Sequence, residues 1–208
     1  MGIAFGEHAK TYLISASDES GACDLYFVSK DQEGVELSKT EYMGLKGMPF
    51  SKINLSNCKI KASQKLGGHN YSIDFESLVD SSRIGMSALA LGVCQAVLDY
   101  VVPYTNERVA FDEPISNRQS VAFMIADMAI ETEALRLMVY KSAALKDLNV
   151  DFHKQASLTH RFASHHGMKI GTDGVQLLGG HGFTHEHPVE LWYRNLRSIG
   201  IFEAGAGV

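Results

Sequence analysis

From Val121 the chain reads Val121-Ala-Phe-Met124-Ile125-Ala-Asp-Met128, and after a more polar turn it continues Leu135-Arg-Leu-Met138-Val139. The apolar residues at 121, 124, 125, 128, 135, 138 and 139 recur at spacings of three, four and seven, which places them on one face of an α-helix. Ile84, Leu91, Cys94, Leu98 and Val101 keep roughly the same period upstream, in a segment that should end near Pro103. Downstream, Phe152 to Leu178 carries Ala156, Ala163 and Ile170 on one face, and Gly179-Gly180 supplies its stop signal. A fourth, shorter helix should follow Pro188. Helices in series with short polar connections pack most simply as an antiparallel bundle, so residues 69–208 are expected to form an up-down four-helix domain.

Before Leu66-Gly67-Gly68 the period is different. Thr11-Tyr-Leu-Ile-Ser15, Leu25-Tyr-Phe-Val28 and Lys52-Ile-Asn-Leu55 are short apolar or alternating runs separated by Gly, Ser, Asn and Asp, the pattern of strands joined by turns. No alternating partner is evident for the first of them, so residues 1–68 are expected to be a partial, barrel-like β domain with an edge that needs covering. The expected fold class is α+β, mainly α.

With 208 residues and 45% hydrophobic content, the chain can bury a good core and a smaller lobe. The net charge of -5 is spread along the sequence without a basic stripe, which excludes nucleic acid as a partner class. Cys23, Cys58 and Cys94 lie far apart, as expected of unpaired thiols in a reducing, cytoplasmic setting. The N-terminus lacks a secretory pattern, and no run of roughly 18 uncharged apolar residues is evident, so neither export nor a membrane span is expected. His165-His166 and His185-Glu186-His187 invite a metal reading, but adjacent or alternating histidines do not share a helix face as a pair four apart would, and no metal is expected.

Three places could carry other chemistry. Arg108-Val-Ala-Phe111 lies between two predicted helices, where a guanidinium can fork onto a phosphate with an aromatic ring beside it, although an arginine at a helix end is ordinarily a solvated charge. Gln176-Leu-Leu-Gly179-Gly180-His-Gly182 permits close backbone approach to a ligand, or else forms a tight cap. Glu203, in Ile201-Phe-Glu203-Ala204-Gly205, has the apolar setting that raises a carboxyl pKa towards that of a general base, although a lone glutamate near a terminus is more often a surface residue.

Taken in order, these pieces resemble the acyl-CoA dehydrogenase family. The blocks that carry the resemblance are Asp80-Ser-Ser-Arg83 with Leu91-Gly-Val-Cys-Gln95-Ala; Glu107-Arg108-Val-Ala-Phe111-Asp-Glu-Pro114-Ile115 leading to Gln119 and Ala126-Asp-Met128; Thr172-Asp-Gly-Val-Gln176-Leu-Leu-Gly179-Gly180-His-Gly182; and Arg194-Asn-Leu-Arg197 before Ile201-Phe-Glu203. Val35 to Gly47 followed by Ile53 to Ile60 is similar to the end of the family's β domain. The resemblance implies FAD as cofactor. It would be held by Arg108, Phe111, Gln119, Gln176, Gly179 and Gly180, with Arg108 and Phe111 serving a neighbouring subunit's flavin.

It further implies that Asp80 and Arg83 line an acyl-CoA channel and that Glu203 removes the α-proton of the thioester. The expected partners are an acyl-CoA substrate, an electron-transferring flavoprotein or other electron acceptor, and either further copies of the chain, in a tetramer, or a chain that supplies the N-terminal half. Three departures stand out: Ala204-Gly205 replaces the family's Gly-Thr, Asn195 replaces an Asp, and the sequence stops at Val208. The alternative expectation is a non-catalytic or truncated assembly subunit of the same kind of oligomer.

Overall fold

The computed structural model describes residues 2–17, 23–68 and 73–202. The chain divides into two units, Met1–Glu76 and Ser77–Val208. Glu203, Ala204 and Gly205 lie outside the described residues.

Among the described residues, five strands build the first unit: β1 (Gly2–Ala4), β2 (Thr11–Ser17), β3 (Cys23–Ser29), β4 (Val35–Thr40) and β5 (Phe50–Leu55). β2 and β3 form an antiparallel pair with Tyr12 opposite Val28, while β1, β5 and β4 form a separate three-stranded antiparallel sheet in that order. The first strand read from sequence therefore has its partner, contrary to expectation. Its partner buries Leu25 and Val28, three apart, so strict period-two alternation was not there to be seen. The buried Tyr12 hydroxyl donates to the Gly6 carbonyl at 2.6 Å, which satisfies a group whose burial would otherwise be costly. β4, Val-Glu-Leu-Ser-Lys-Thr, is too polar to announce itself as a strand.

Among the described residues, the second unit is built on four α-helices: α1 (Phe75–Glu107), α2 (Gln119–Asp147), α3 (His153–Leu178) and α4 (Val189–Leu196). α1 passes through Pro103 and continues for one more turn, where the sequence predicted its end. Proline removes a backbone donor there. In that turn the buried Thr105 hydroxyl donates to the Val101 carbonyl at 2.9 Å, with the Val102 carbonyl also within reach at 3.1 Å. α1 is also long and apolar enough, by length and composition, to cross a membrane, with a mean hydropathy of 1.6 over its best window. Its apolar residues have another explanation in this fold. Cys94, Val97 and Val101 are fully buried in the core against Met128 and Leu135 of α2, Ile170 of α3 and Val189 of α4.

Small residues on α3 set how closely its neighbours approach. A Cβ on Gly174 would stand 2.6 Å from Val97 Cγ1, and one on Gly171 would stand 3.1 Å from the Tyr193 Cα. Such glycines weaken a helix in isolation, so their place here is explained by the packing they allow. Between α2 and α3, Ser142 and Thr159 hydroxyls pair at 2.8 Å inside the bundle. The three cysteines are free, and burial pushes the Cys94 thiol up to about 12, so it stays protonated and inert.

Candidate functional site

The connection from α1 to α2 is built as a hairpin. β6 (Val109–Ala110) pairs with β7 (Glu113–Pro114), and the Ile115 amide closes its base on the Arg108 carbonyl at 2.9 Å. Its two central residues, Phe111 and Asp112, carry φ of 56° and 69°, the requirement of a type I′ turn. Asn-Gly would satisfy that turn without strain; a phenylalanine in the left-handed region costs about 1–3 kcal/mol. The turn leaves Phe111 in the open, 86% exposed, with the Arg118 guanidinium 5.0 Å from its ring centroid.

Facing the hairpin is the end of α3. Gly179 caps the helix at φ 56° and ψ -130°, a combination open only to glycine. A Cβ on Gly179 or Gly180 would meet nothing within 4 Å, so these glycines leave space open in front of them. Together the hairpin, the first turn of α2 and the glycine turn enclose a cleft of about 710 Å³, within the usual range for cofactor sites.

Arg108, Phe111, Gln176, Gly179 and Gly180 all line this cleft. Gln119 is the first residue of α2 but does not line it, although Arg118 and Ser120 on either side do. Sequence reasoning missed Arg118, Tyr104 and His181, which also line it. A signal existed for Tyr104, since it sits four residues before Arg108 and so shares its helix face. Arg118 sits directly before a predicted helix, where a cation at the positive helix end should have drawn notice.

Asp80 and Arg83 lie elsewhere, near the start of α1. Asp80 is buried, and its two carboxylate oxygens are taken by the Arg83 guanidinium at 2.9 Å and the His153 Nδ1 at 2.7 Å. Arg83 also donates to the Ser157 hydroxyl at 3.1 Å, which ties α1 to α3. At 1.5 Å per helical residue, this cluster lies about 40 Å along α1 from Arg108.

The histidines diverge. His185 pairs with Glu190 at 2.9 Å and His187 with the Tyr100 hydroxyl at 2.8 Å, while His166 stacks on Phe162 at 3.9 Å. Among the described residues no three such side chains converge as metal ligands would. The Arg194 guanidinium, with His185 beside it, holds the Glu190 carboxyl below its ordinary range despite partial desolvation.

Residues 74–207 match the profile of the acyl-CoA dehydrogenase C-terminal domain. The chain belongs to the acyl-CoA dehydrogenase family. It is 36% identical over 185 residues to a 3-(aryl)acrylate reductase of Clostridium sporogenes, covering 88% of this chain and 49% of that relative. It is 33% identical over 197 residues to an acyl-CoA dehydrogenase of Bacillus subtilis, covering 93% of this chain and 52% of the relative. Among solved structures, a glutaryl-CoA dehydrogenase of Mycobacterium smegmatis in complex with FADH2 superposes with a TM-score of 0.87 at 25% identity, covering 99% of this chain and 53% of that one. The chain thus spans about half the length of the family members it matches.

Proposed function

We propose that these residues form the C-terminal part of a FAD-dependent acyl-CoA dehydrogenase that introduces an α,β double bond into an acyl-CoA thioester. The observation that carries the reading is the cleft, where Arg108, Phe111, Gln176 and the Gly179-Gly180 backbone converge. Its lining fits the adenosine diphosphate half of FAD. The Arg108 and Arg118 guanidiniums and the N-terminus of α2 offer positive charge to a diphosphate, and the exposed Phe111 ring offers a flat face. FAD, when bound, supplies the two-electron acceptor. On this reading Glu203 takes the α-proton, a role that rests on its sequence block alone. Arg83 keeps guanidinium donors beyond those used by Asp80 and Ser157, available to a thioester or its CoA. An electron-transferring flavoprotein is the proposed acceptor, and a cytoplasmic setting is part of the same reading.

Visible spectroscopy of the protein with FAD, before and after adding a medium-length acyl-CoA, tests this. Bound yellow flavin that bleaches on addition is the expected result. Flavin that stays oxidised with every acyl-CoA, or a protein that holds none, would overturn it. The reductase among the relatives favours a second reading, in which the same site runs towards saturation. Reduced flavin reoxidised by an enoyl substrate, with no bleaching by the saturated thioester, would select that direction.

The reading includes a homo-oligomer. Phe123, Ile130 and Leu137 recur every seven residues on α2 and are exposed, with Tyr140 continuing the seam three residues on. A heptad stripe of this kind is suited to pairing with a second copy. The separation of Arg108 from Asp80 agrees with one chain serving two sites. The double variant Ile130→Glu, Leu137→Glu should sediment as a smaller species with unchanged helical circular dichroism. An unaltered assembly would place the interface elsewhere.

A further inference from the structure

The outer side of α3 bears a groove of about 930 Å³ that shares no lining residue with the cleft at the hairpin. Its lining residues Leu158 to Thr172 cover about 21 Å of helix at 1.5 Å per residue. Met138 of α2 with Leu158, Phe162 and Met168 of α3 give the groove its apolar part. The Phe162 ring is fixed, since it packs against the bundle core and stacks on the His166 ring at 3.9 Å. The two methionine thioethers can adapt to an aliphatic chain laid beside them.

The cations of the groove are not equivalent. Lys169 is engaged by Asp173 at 3.1 Å and by Glu131 at 3.4 Å. Partial desolvation opposes its charge, but the two carboxylates outweigh it and raise the Lys169 pKa above the ordinary lysine value. Arg161 on α3 and Arg197 in the turn after α4 also line the groove, and both are exposed. Among the described residues neither guanidinium makes an ion pair or a hydrogen bond. A single exposed arginine is ordinarily a solvated charge. Two of them, from different elements, on one partly apolar groove suit an oxyanion with an apolar tail, because each planar fork can take both oxygens of a carboxylate. The volume lies within the range of small-molecule sites, which favours such a ligand over a docked helix.

We propose that this groove is a second ligand site, which takes an organic carboxylate with a medium-length aliphatic tail. The head pairs with Arg161 and Arg197 rather than with Lys169, where two carboxylates would repel it, and the tail covers Phe162 and the methionines. The site does not depend on the reading of the hairpin cleft.

Calorimetric titration of the full chain with dodecanoate, kept below its micellar concentration, tests this, with dodecanol as the neutral control. Dodecanoate should bind about tenfold more tightly than dodecanol. Arg161→Gln and Arg197→Gln should each weaken dodecanoate about tenfold and leave dodecanol within about twofold, since each removes donors to a charged oxygen. Leu158→Glu sets a like charge at the groove and should weaken dodecanoate in the same way. All three side chains are exposed, Leu158 by 47%, so thermal melts of the variants should match the parent. The proposal is overturned if the parent takes up no dodecanoate, if dodecanol binds as tightly, or if the double variant Arg161→Gln, Arg197→Gln binds dodecanoate as the parent does.

Discussion

Arg108→Ala should weaken FAD binding by about 10- to 100-fold while leaving the folded bundle intact, because a hydrogen bond to a charged group is worth roughly 1.5–3 kcal/mol. The two halves of this expectation come from different features. Arg108 is exposed and directly follows the last turn of α1, where the hairpin begins, and it lines the cleft. An exposed side chain outside the core changes stability by less than about 0.5 kcal/mol when truncated. A flavin-fluorescence titration gives the affinity, and a thermal melt of the same sample gives the stability. Arg108→Lys should recover part of the loss, since it keeps the charge but not the planar fork that matches two phosphate oxygens. Arg118→Ala should cost less than Arg108→Ala, because the Arg118 guanidinium is already shared between the Phe111 ring and Glu113 at 3.6 Å. Affinity unchanged in Arg108→Ala would move the cofactor out of this cleft.

The four helices were legible because their cores repeat at helical spacing, and α3 could be bounded almost to the residue by Gly179-Gly180. The end of α1 was not, since Pro103 is a stop signal that the buried face of the last turn, Val101 and Thr105, overrides. On the β side, strands with clear apolar runs were found and the polar β4 was missed, because its pairing with β5 depends on partners distant in sequence. The cleft was half legible. Arg108, Phe111 and the glycines announced themselves by residue type, but their convergence depends on a turn with positive φ at Phe111 and Asp112, and nothing in a Phe-Asp pair signals that turn. The contact of Arg118 with the Phe111 ring was hidden for the same reason, since it exists only once that turn has formed.

Asp80→Ala should have the opposite profile, lowering the stability of the helical unit by about 3 kcal/mol without touching the cleft. The Asp80 side chain is 2% exposed, and each oxygen serves a different element: Arg83 on α1 itself and His153 at the start of α3. Removing it leaves Arg83, whose side chain is only 18% exposed, with the Ser157 hydroxyl but without the carboxylate that it pairs with. Breaking a buried pair by deleting one partner costs about 3–5 kcal/mol, and the half-exposed His153 can turn to solvent, which places the expectation at the lower end. Asp80→Asn should cost less, since the amide oxygen still accepts from Arg83. In urea, a 3 kcal/mol loss at a slope of about 2 kcal/mol/M shifts the midpoint by roughly 1.5 M, which circular dichroism at the helical band would resolve. Ser157→Ala combined with Asp80→Ala should cost less than the sum of the two, because both changes act on the same guanidinium. If Asp80→Ala melts with the parent while losing acyl-CoA affinity, the carboxylate belongs to the substrate channel and the α1–α3 junction is held by packing alone.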